Sequence, residues 1–484
     1  MKLLLLLEIV YAVIILLVVF RVLYDTRSGV KALAYILLII LLPFFGVFFY
    51  FFFGINYRKR KLYSRKIVED ETLHQRILTH VWNYSEQVLH SGLLPPEHLN
   101  LARFIRNSST SPVTGNNFVK LLLNGEEKFP ELLNALEGAR SHIHLEYYIY
   151  EDDETGNSIA DMLIKKVRQG VEVRFMYDDF GSHNLGRGFI KKLEENGIET
   201  APFYKIKWYA LVNRLNYRNH RKIVVIDGKK SFIGGINISN KYRNDNQPEN
   251  DLYWRDTHLM IEGPATFYLQ YMFLCDWNFS AKNKLQFGPD YFPKYPKEDK
   301  IRDELVQIVP SGPDSKLPVI FYSLLEAIGA AKKQVLITSP YFIPGESLMD
   351  ALIIAAKSGI KIKLLVPGKS DSWIVNAAAR SYYKELLRHG VRIFEYQKGF
   401  VHSKVMIIDD NLSVVGSANM DYRSFDLNFE VNAMLYSKTI TQQLQKAFNN
   451  DLKQSGEINP TDWINRPRYI HLYEKLVGLL APIF

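Results

Sequence analysis

The sequence predicts a duplicated α/β fold preceded by an N-terminal helical hairpin that crosses a membrane. Three observations carry that reading. His220-Arg221-Lys222-Ile223-Val224-Val225-Ile226-Asp227 returns about 180 residues later as His402-Ser403-Lys404-Val405-Met406-Ile407-Ile408-Asp409. Helical and strand-like stretches alternate in the same order ahead of each copy. Two apolar runs, residues 3–24 and 30–53, open the chain.

The apolar runs each reach the length of about 20 residues that a hydrocarbon core requires. Glu8 and Arg21 interrupt the first; Pro43 and Gly46 lie in the second. A cleaved signal peptide fits poorly, because no convincing small-residue cleavage site follows and a second apolar run comes at once. Arg58-Lys59-Arg60-Lys61 and Arg65-Lys66 then form a basic cluster. By the positive-inside tendency this cluster and the rest of the chain are cytoplasmic, with the loop at 25–29 outside. Residues 1–56 are therefore expected as two transmembrane helices. Residues 57–112 are expected as a basic juxtamembrane segment and a linker ending in Ser108-Ser109-Thr110-Ser111-Pro112.

The remaining length divides into two halves. Residues 143–149 answer 335–341, residues 170–175 answer 359–364, and residues 196–199 answer 389–392, with helical stretches at 129–139 and 321–331. Helices alternating with strands argue for a mainly parallel sheet with helices on its faces, duplicated as residues 113–290 and 291–456. The first half carries eleven extra residues before its motif, near 205–219, including Trp208, Tyr209, Arg214, Tyr217 and Arg218. That stretch reads equally as a wall of an entry path and as an ordinary packed loop. In the tail, 457–484, Ile470, Tyr473, Leu476, Val477 and Leu480 recur at helical spacing, a pattern that fits docking on the body or lying on a membrane surface.

The motifs themselves carry the chemistry. On a strand, residues two apart leave the same face about 6.6 Å apart, so His220 and Lys222, like His402 and Lys404, aim an imidazole and an ammonium at one spot. Asp227 and Asp409 lie seven residues on, roughly 23 Å of straight strand; they cannot easily hold their own histidines. Asn237 and Asn419 each follow the histidine by seventeen positions, at the end of a Gly-x-x-Asn bend. Asp256 and Glu430 occupy matching places on strands expected beside the motif strands, where each holds an imidazole. His142 and His144 have no third partner, so no metal site is expected. A net charge of +9 suits an anionic partner, nucleic acid or bilayer, and the single cysteine, Cys275, excludes an internal disulfide.

At these residues the chain resembles the phospholipase D superfamily over roughly 115–450. The resemblance implies two lobes whose motifs meet at a pseudo-two-fold axis to act on a phosphodiester. It implies His220 as nucleophile, forming a phosphohistidine, and His402, protonated, as the acid toward the leaving alkoxide. Lys222, Lys404, Asn237 and Asn419 would grip the nonbridging oxygens, and Asp256 and Glu430 would set the ring tautomers. Asp227 and Asp409 join the catalytic set by motif. The order of parts, with Tyr147-Tyr148, Pro340-Tyr341-Phe342-Ile343-Pro344 and the Arg466-Pro467 tail, resembles the bacterial cardiolipin synthase family nearly end to end. That implies a bacterial cell membrane enzyme, without cofactor, that joins two phosphatidylglycerols and releases glycerol, with membrane phospholipids and no nucleic acid as partners. A phospholipase D-type hydrolase or another phosphatidyltransferase would use the same residues. A non-catalytic lipid-binding protein would be expected to carry a degenerate copy of the motif, and neither copy here is degenerate.

Overall fold

A computed structural model describes residues 2–26, 29–51, 85–203, 217–245, 252–286, 288–293 and 303–479. The N-terminal residues and the body that carries both motifs are separate compact units. The first unit holds helices Lys2–Asp25, Gly29–Leu41 and Pro43–Phe49. Leu17, Phe20, Leu41 and Phe44 are exposed around a small core of Val18, Val22, Ala32, Ile39 and Tyr50. The run at 30–53, expected as one span, is broken: Pro43 starts a new helix and Leu42 leaves helical geometry at φ −134°, ψ 70°, as a residue before proline tends to do. Among the described residues no helix is long and apolar enough to cross a membrane. The basic cluster at 58–66 lies outside the described residues.

The body is built on strands that repeat in two sets. The first set is β1 (Val113–Leu123), β2 (His142–Tyr147), β3 (Glu172–Asp178), β4 (Glu199–Phe203), β5 (Lys222–Ile226), β6 (Lys230–Gly234), β7 (Tyr253–Arg255) and β8 (Thr257–Glu262). The second is β9 (Glu304–Ser311), β10 (Gln334–Thr338), β11 (Phe342–Ile343), β12 (Lys361–Pro367), β13 (Arg392–Tyr396), β14 (Gly399–Val401), β15 (Val405–Ile408), β16 (Leu412–Gly416), β17 (Met420–Asp421), β18 (Glu430–Tyr436) and β19 (Ser455–Glu457). Among the described residues fifteen strands form one sheet. Its first lobe runs β1-β8-β6-β5-β2-β3-β4 and its second β9-β18-β16-β15-β10-β12-β13, with β19 added at the edge. The two orders match strand for strand, and the lobes join where β1 pairs antiparallel with β9.

The sheet is mixed rather than mainly parallel. Among the described strands of this sheet only β2–β3, β3–β4, β10–β12 and β12–β13 run parallel. Each motif strand continues through a tight turn into the next strand (β5–β6, β15–β16), and such a hairpin is necessarily antiparallel. The parallel pairs arise where a helix intervenes. Those helices stop at Gly170, Gly197, Gly359 and Gly390, all left-handed at φ between 86° and 91°, a conformation that glycine adopts without a Cβ clash.

The β-branched motif strands are buried on both faces. Val224 and Ile226 enter the core of lobe 1, and Met406 and Ile408 enter that of lobe 2. Ile223, Val225, Val405 and Ile407 share a third core that spans both lobes under helices Ala265–Ser280 and Lys438–Leu452. Each such side chain contributes about 1.5–3 kcal/mol by leaving water. Alternation therefore puts Lys222 and Lys404 on the sheet face away from the shared core.

Part of the expected linker is structured. Helix Leu99–Ser109 buries Leu101, Ala102 and Ile105 in the core of lobe 2, the Ser111 hydroxyl donates to the Ile308 carbonyl, and β1 starts at once. The helical spacing read from a polar stretch was too sparse to reveal this. Residues 57–84 lie outside the described set.

Asp227 and Asp409 end their motif strands in left-handed conformation, φ 54° and 49°. The Asp227 carboxylate accepts the backbone N–H groups of Arg140 (2.9 Å), Ser141 (2.7 Å) and His142 (3.0 Å). Asp409 accepts those of Lys332 (2.8 Å), Lys333 (2.7 Å) and Gln334 (2.9 Å). Grouped by motif with the catalytic residues, both instead pin the helix-to-strand corner at the start of β2 or β10. Asp409→Ala strips three donors of their acceptor at a corner. Its expected effect is a loss of about 2 kcal/mol, read as a lowered Tm, with turnover per folded molecule within about two-fold of wild type. An unchanged Tm would contradict the anchoring role.

Candidate active site

The turn that leads into each motif strand is bonded to the other lobe. The His220 N–H donates to the Phe429 carbonyl (2.9 Å), and the Phe429 N–H donates to Arg218 (2.8 Å). Correspondingly, the His402 N–H donates to the Arg255 carbonyl (2.8 Å), and β14 runs parallel to β7 with Val401 opposite Arg255. Phe429 and Arg255 are the residues just before Glu430 and Asp256. Each lobe thus hands its acid to its neighbour's histidine.

The side chains complete that exchange. His220 Nδ1 donates to Glu430 Oε2 at 3.1 Å and lies 3.0 Å from Oε1. His402 Nδ1 donates to Asp256 Oδ2 at 2.7 Å. The expected placement of the acids on strands beside the motif strands is corrected. β6 lies between β5 and β8, and β16 between β15 and β18, so the nearer imidazole is the one across the seam. With Nδ1–H committed to a carboxylate, the lone pair of each neutral ring lies on Nε2. Glu430 also accepts from Ser417 Oγ (2.5 Å) and Asn428 Nδ2 (3.1 Å). Position 235, the counterpart of Ser417, is glycine, and a Cβ there would run into the Asp256 carboxylate.

Lys222 Nζ donates to the His220 carbonyl (2.7 Å) and lies 5.3 Å from the ring centre of Tyr148, which meets the His220 ring edge-on at 4.8 Å. Lys404 Nζ donates to the His402 carbonyl. The His402 ring is walled by Trp254 (5.4 Å), Phe400 (5.8 Å) and Tyr242 (5.9 Å). The two asparagines differ. Asn237 Nδ2 donates to Tyr242 Oη (2.6 Å) and its Oδ1 accepts from the Ile149 N–H (3.2 Å), so its amide ties down the loop after β6. Asn419 Oδ1 has no hydrogen-bond partner among the described residues. His142 and His144 point to the other sheet face, where both bond Gln270.

Burial dominates the electrostatics. It pushes His220 down to about 4, with Glu430 opposing and Lys222 reinforcing the shift. It pushes His402 down to about 3, helped by Lys404 and opposed by Asp256. Lys222 falls to about 7 and Lys404 to about 8, again through desolvation first. Burial alone would raise the acids. Glu430 nevertheless stays below the usual range because His220, Lys222 and Ser417 favour its charge, and Asp256 does so because of Lys404, His402 and the Thr257 N–H. With these shifts both imidazoles rest neutral near pH 7, including His402, expected to be protonated.

Two positioning residues escaped the sequence reading. Lys128, fully buried, donates to the carbonyls of Ile236 (3.2 Å) and Asn237 (3.3 Å) beneath the bend. A lysine in line with Leu132 and Ala135 on an apolar helix face was the available signal. Tyr242 was unmarked. Of the stretch 205–219, near which the insertion falls, 205–216 lie outside the described residues; Tyr217, Arg218 and Asn219 are packed, with Asn219 N–H on Asp178 (2.9 Å) and Arg218 over the Phe180 ring (4.6 Å).

Comparison with known proteins fixes the family. The family described as "Cardiolipin synthase, PLD-like domain" matches residues 132–267 and 324–452, over half the chain and once per lobe. The chain belongs to the cardiolipin synthase family. A second profile, "Phospholipase_D-nuclease N-terminal", matches residues 12–54. The chain is 39% identical over 480 residues to the cardiolipin synthase of Alkalihalophilus pseudofirmus, covering 99% of this chain and 93% of that protein. It is 39% identical over 460 residues to cardiolipin synthase 2 of Bacillus cereus, covering 95% and 88%. Among solved structures, a phosphatidylserine synthase from Haemophilus influenzae shares the fold at 15% identity and TM-score 0.57, covering 79% of this chain and 98% of that one. Membership of the cardiolipin synthase family makes the protein a phosphatidyltransferase of the phospholipase D superfamily.

A histidine whose folded pKa lies below its unfolded value of about 6.5 binds fewer protons when folded, so stability falls as pH drops through that window. His220 and His402, with the buried His144 and His258 also pushed down by desolvation, all act in this sense. Tm is expected to fall from about pH 6.5 to about pH 4, and His402→Gln to flatten that fall. A wild-type Tm constant across the window would refute neutral burial.

Proposed function

We propose that the site transfers a phosphatidyl group from one phosphatidylglycerol to the hydroxyl of a second, forming cardiolipin and releasing glycerol. The observation that carries this reading is the pair of Nδ1-anchored imidazoles, each with its Nε2 lone pair available and a lysine two residues away. His220 Nε2 attacks phosphorus, and the bond to the glycerol headgroup oxygen breaks. Protonated His402 gives its proton to that leaving oxygen, then takes the proton of the second lipid's hydroxyl as the new oxygen–phosphorus bond forms and the nitrogen–phosphorus bond breaks. The division of roles follows the superfamily's use of the N-terminal histidine.

Charge balance supports the order of events. Both rings rest neutral because burial and the lysines disfavour another cation. An arriving phosphodiester offsets Lys222 and Lys404 and raises the proton affinity of His402, which Asp256 then stabilises as imidazolium. The same lysines face the oxygens that gain charge as phosphorus is attacked. Glu430, with three donors, holds the His220 ring through the covalent stage.

The apolar N-terminal helices are read as the membrane anchor, in two spans with the basic cluster at 58–66 on the cytoplasmic side. Tethering raises the effective concentration of the second lipid over that of other acceptors, which favours transfer over hydrolysis. Labelled phosphatidylglycerol in vesicles, followed by mass spectrometry, tests the reading. Wild type is expected to yield cardiolipin and glycerol, and His220→Ala to lose about 10³-fold or more of both. Phosphatidic acid as the main wild-type product would identify a hydrolase; undiminished cardiolipin from the variant would remove His220 as nucleophile.

A further inference from the structure

The helix Arg468–Gly478 is docked with the wrong face inward for an ordinary surface helix. Such helices normally bury their apolar stripe. Here Glu474 is the buried residue, paired with Arg466 at 2.8 and 3.0 Å and next to His471. The contact partner is helix Trp373–Arg388, with Gly478 set against Ser381. The apolar residues point out: Tyr469 is 72% exposed, Leu472 60%, Tyr473 45%, Leu476 56% and Leu479 75%. At 100° per residue these five fall within an arc of about 120°. Exposed Arg468 and Lys475 lie together at one margin of that arc. The stripe expected from spacing thus divides, with Ile470 and Val477 half-buried and Tyr473 and Leu476 outward.

We propose that this outward face lies in the interface of the bilayer that supplies the substrate, as a second membrane contact separate from the N-terminal helices. The inference rests on the lipid reading of the active site. Three features select a bilayer over a protein partner. Two tyrosines among three leucines match the amphipathic level of lipid headgroups, where tyrosine rings are favoured. Arg468 and Lys475 stand at the edge, where long basic side chains reach anionic phosphates while their stems stay with the apolar face. Phosphatidylglycerol, the proposed substrate, is itself such an anionic lipid. The Glu474–Arg466 pair holds the helix in this inverted orientation, so the apolar face is presented permanently. The contact would fix the catalytic body against the membrane rather than leaving it free on a tether.

The test uses the full chain with Cys275→Ser and a single new cysteine, Leu472→Cys, carrying an environment-sensitive fluorophore, in vesicles of phosphatidylethanolamine and phosphatidylglycerol. A label at Lys191→Cys, on an exposed helix of lobe 1, is the control. Lipids spin-labelled just below the headgroup are expected to quench the Leu472 label about three-fold more than the control, and aqueous iodide to quench it less. Equal quenching at both sites overturns the proposal. Iodide protection without lipid quenching, with disulfide dimers of Leu472→Cys, overturns it in favour of a second copy of the chain. Leu472→Asp with Leu476→Asp is expected to raise KM for vesicle phosphatidylglycerol about ten-fold with kcat within about two-fold. Loss of the proposed chemistry would show instead as wild type making no cardiolipin, an outcome that leaves the quenching result readable.

Discussion

Each active-site histidine finds the acceptors of its backbone N–H and its Nδ1–H in the other lobe. The backbone N–H and the Nδ1–H of His220 are both held by the Phe429-Glu430 pair, and those of His402 by Arg255-Asp256. A single lobe would contain a strand, a lysine and an imidazole with no acid to set its tautomer. The site comes into being only when the lobes meet, at the antiparallel seam of β1 with β9 and the parallel pairing of β7 with β14. Preorganisation of this kind is what phosphoryl transfer needs, since orientation and fixed charge do most of its work.

The same exchange explains the balance of charge. Two lysines, two carboxylates and two imidazoles are buried together, a grouping tolerable only when each ion has partners. Desolvation settles the balance by keeping both rings neutral and lowering Lys222 to about 7 and Lys404 to about 8. Such a pocket responds to an incoming anion more than a solvated one would, because little water screens the change. The lobes are not equivalent in this respect. Ser417 and Asn428 add donors to Glu430, while Gly235 leaves Asp256 without the hydroxyl. Glu430 thus has more side-chain donors around its carboxylate than Asp256, which suits the histidine proposed to become covalently charged.

Much of the architecture was legible because it obeys local rules. The second copy of the motif marked the duplication, and the same order of helical and strand-like stretches ahead of each copy marked the two lobes. What failed did so where the period is ambiguous or the partner distant. Alternating helices and strands read as mainly parallel, although the motif hairpins impose antiparallel pairs. The stretch before β1 read as linker because Leu101, Ala102 and Ile105 are scattered among polar residues. The motif aspartates, grouped with the catalytic set by motif though read as too distant to hold their own histidines, have carboxylates that close corners at the far ends of β5 and β15.

By itself the sequence determined the inventory: two His-Lys pairs on buried strands, two later acids at matching places, two apolar runs and a tail with helical spacing. Those follow from side-chain chemistry and period, which are local properties. Only the tertiary structure decided that the acids trade lobes, that both imidazoles rest neutral, and that the tail helix turns its apolar face outward. Each of these depends on which surfaces meet across hundreds of residues and on how much water they exclude, and neither quantity is encoded at any single position.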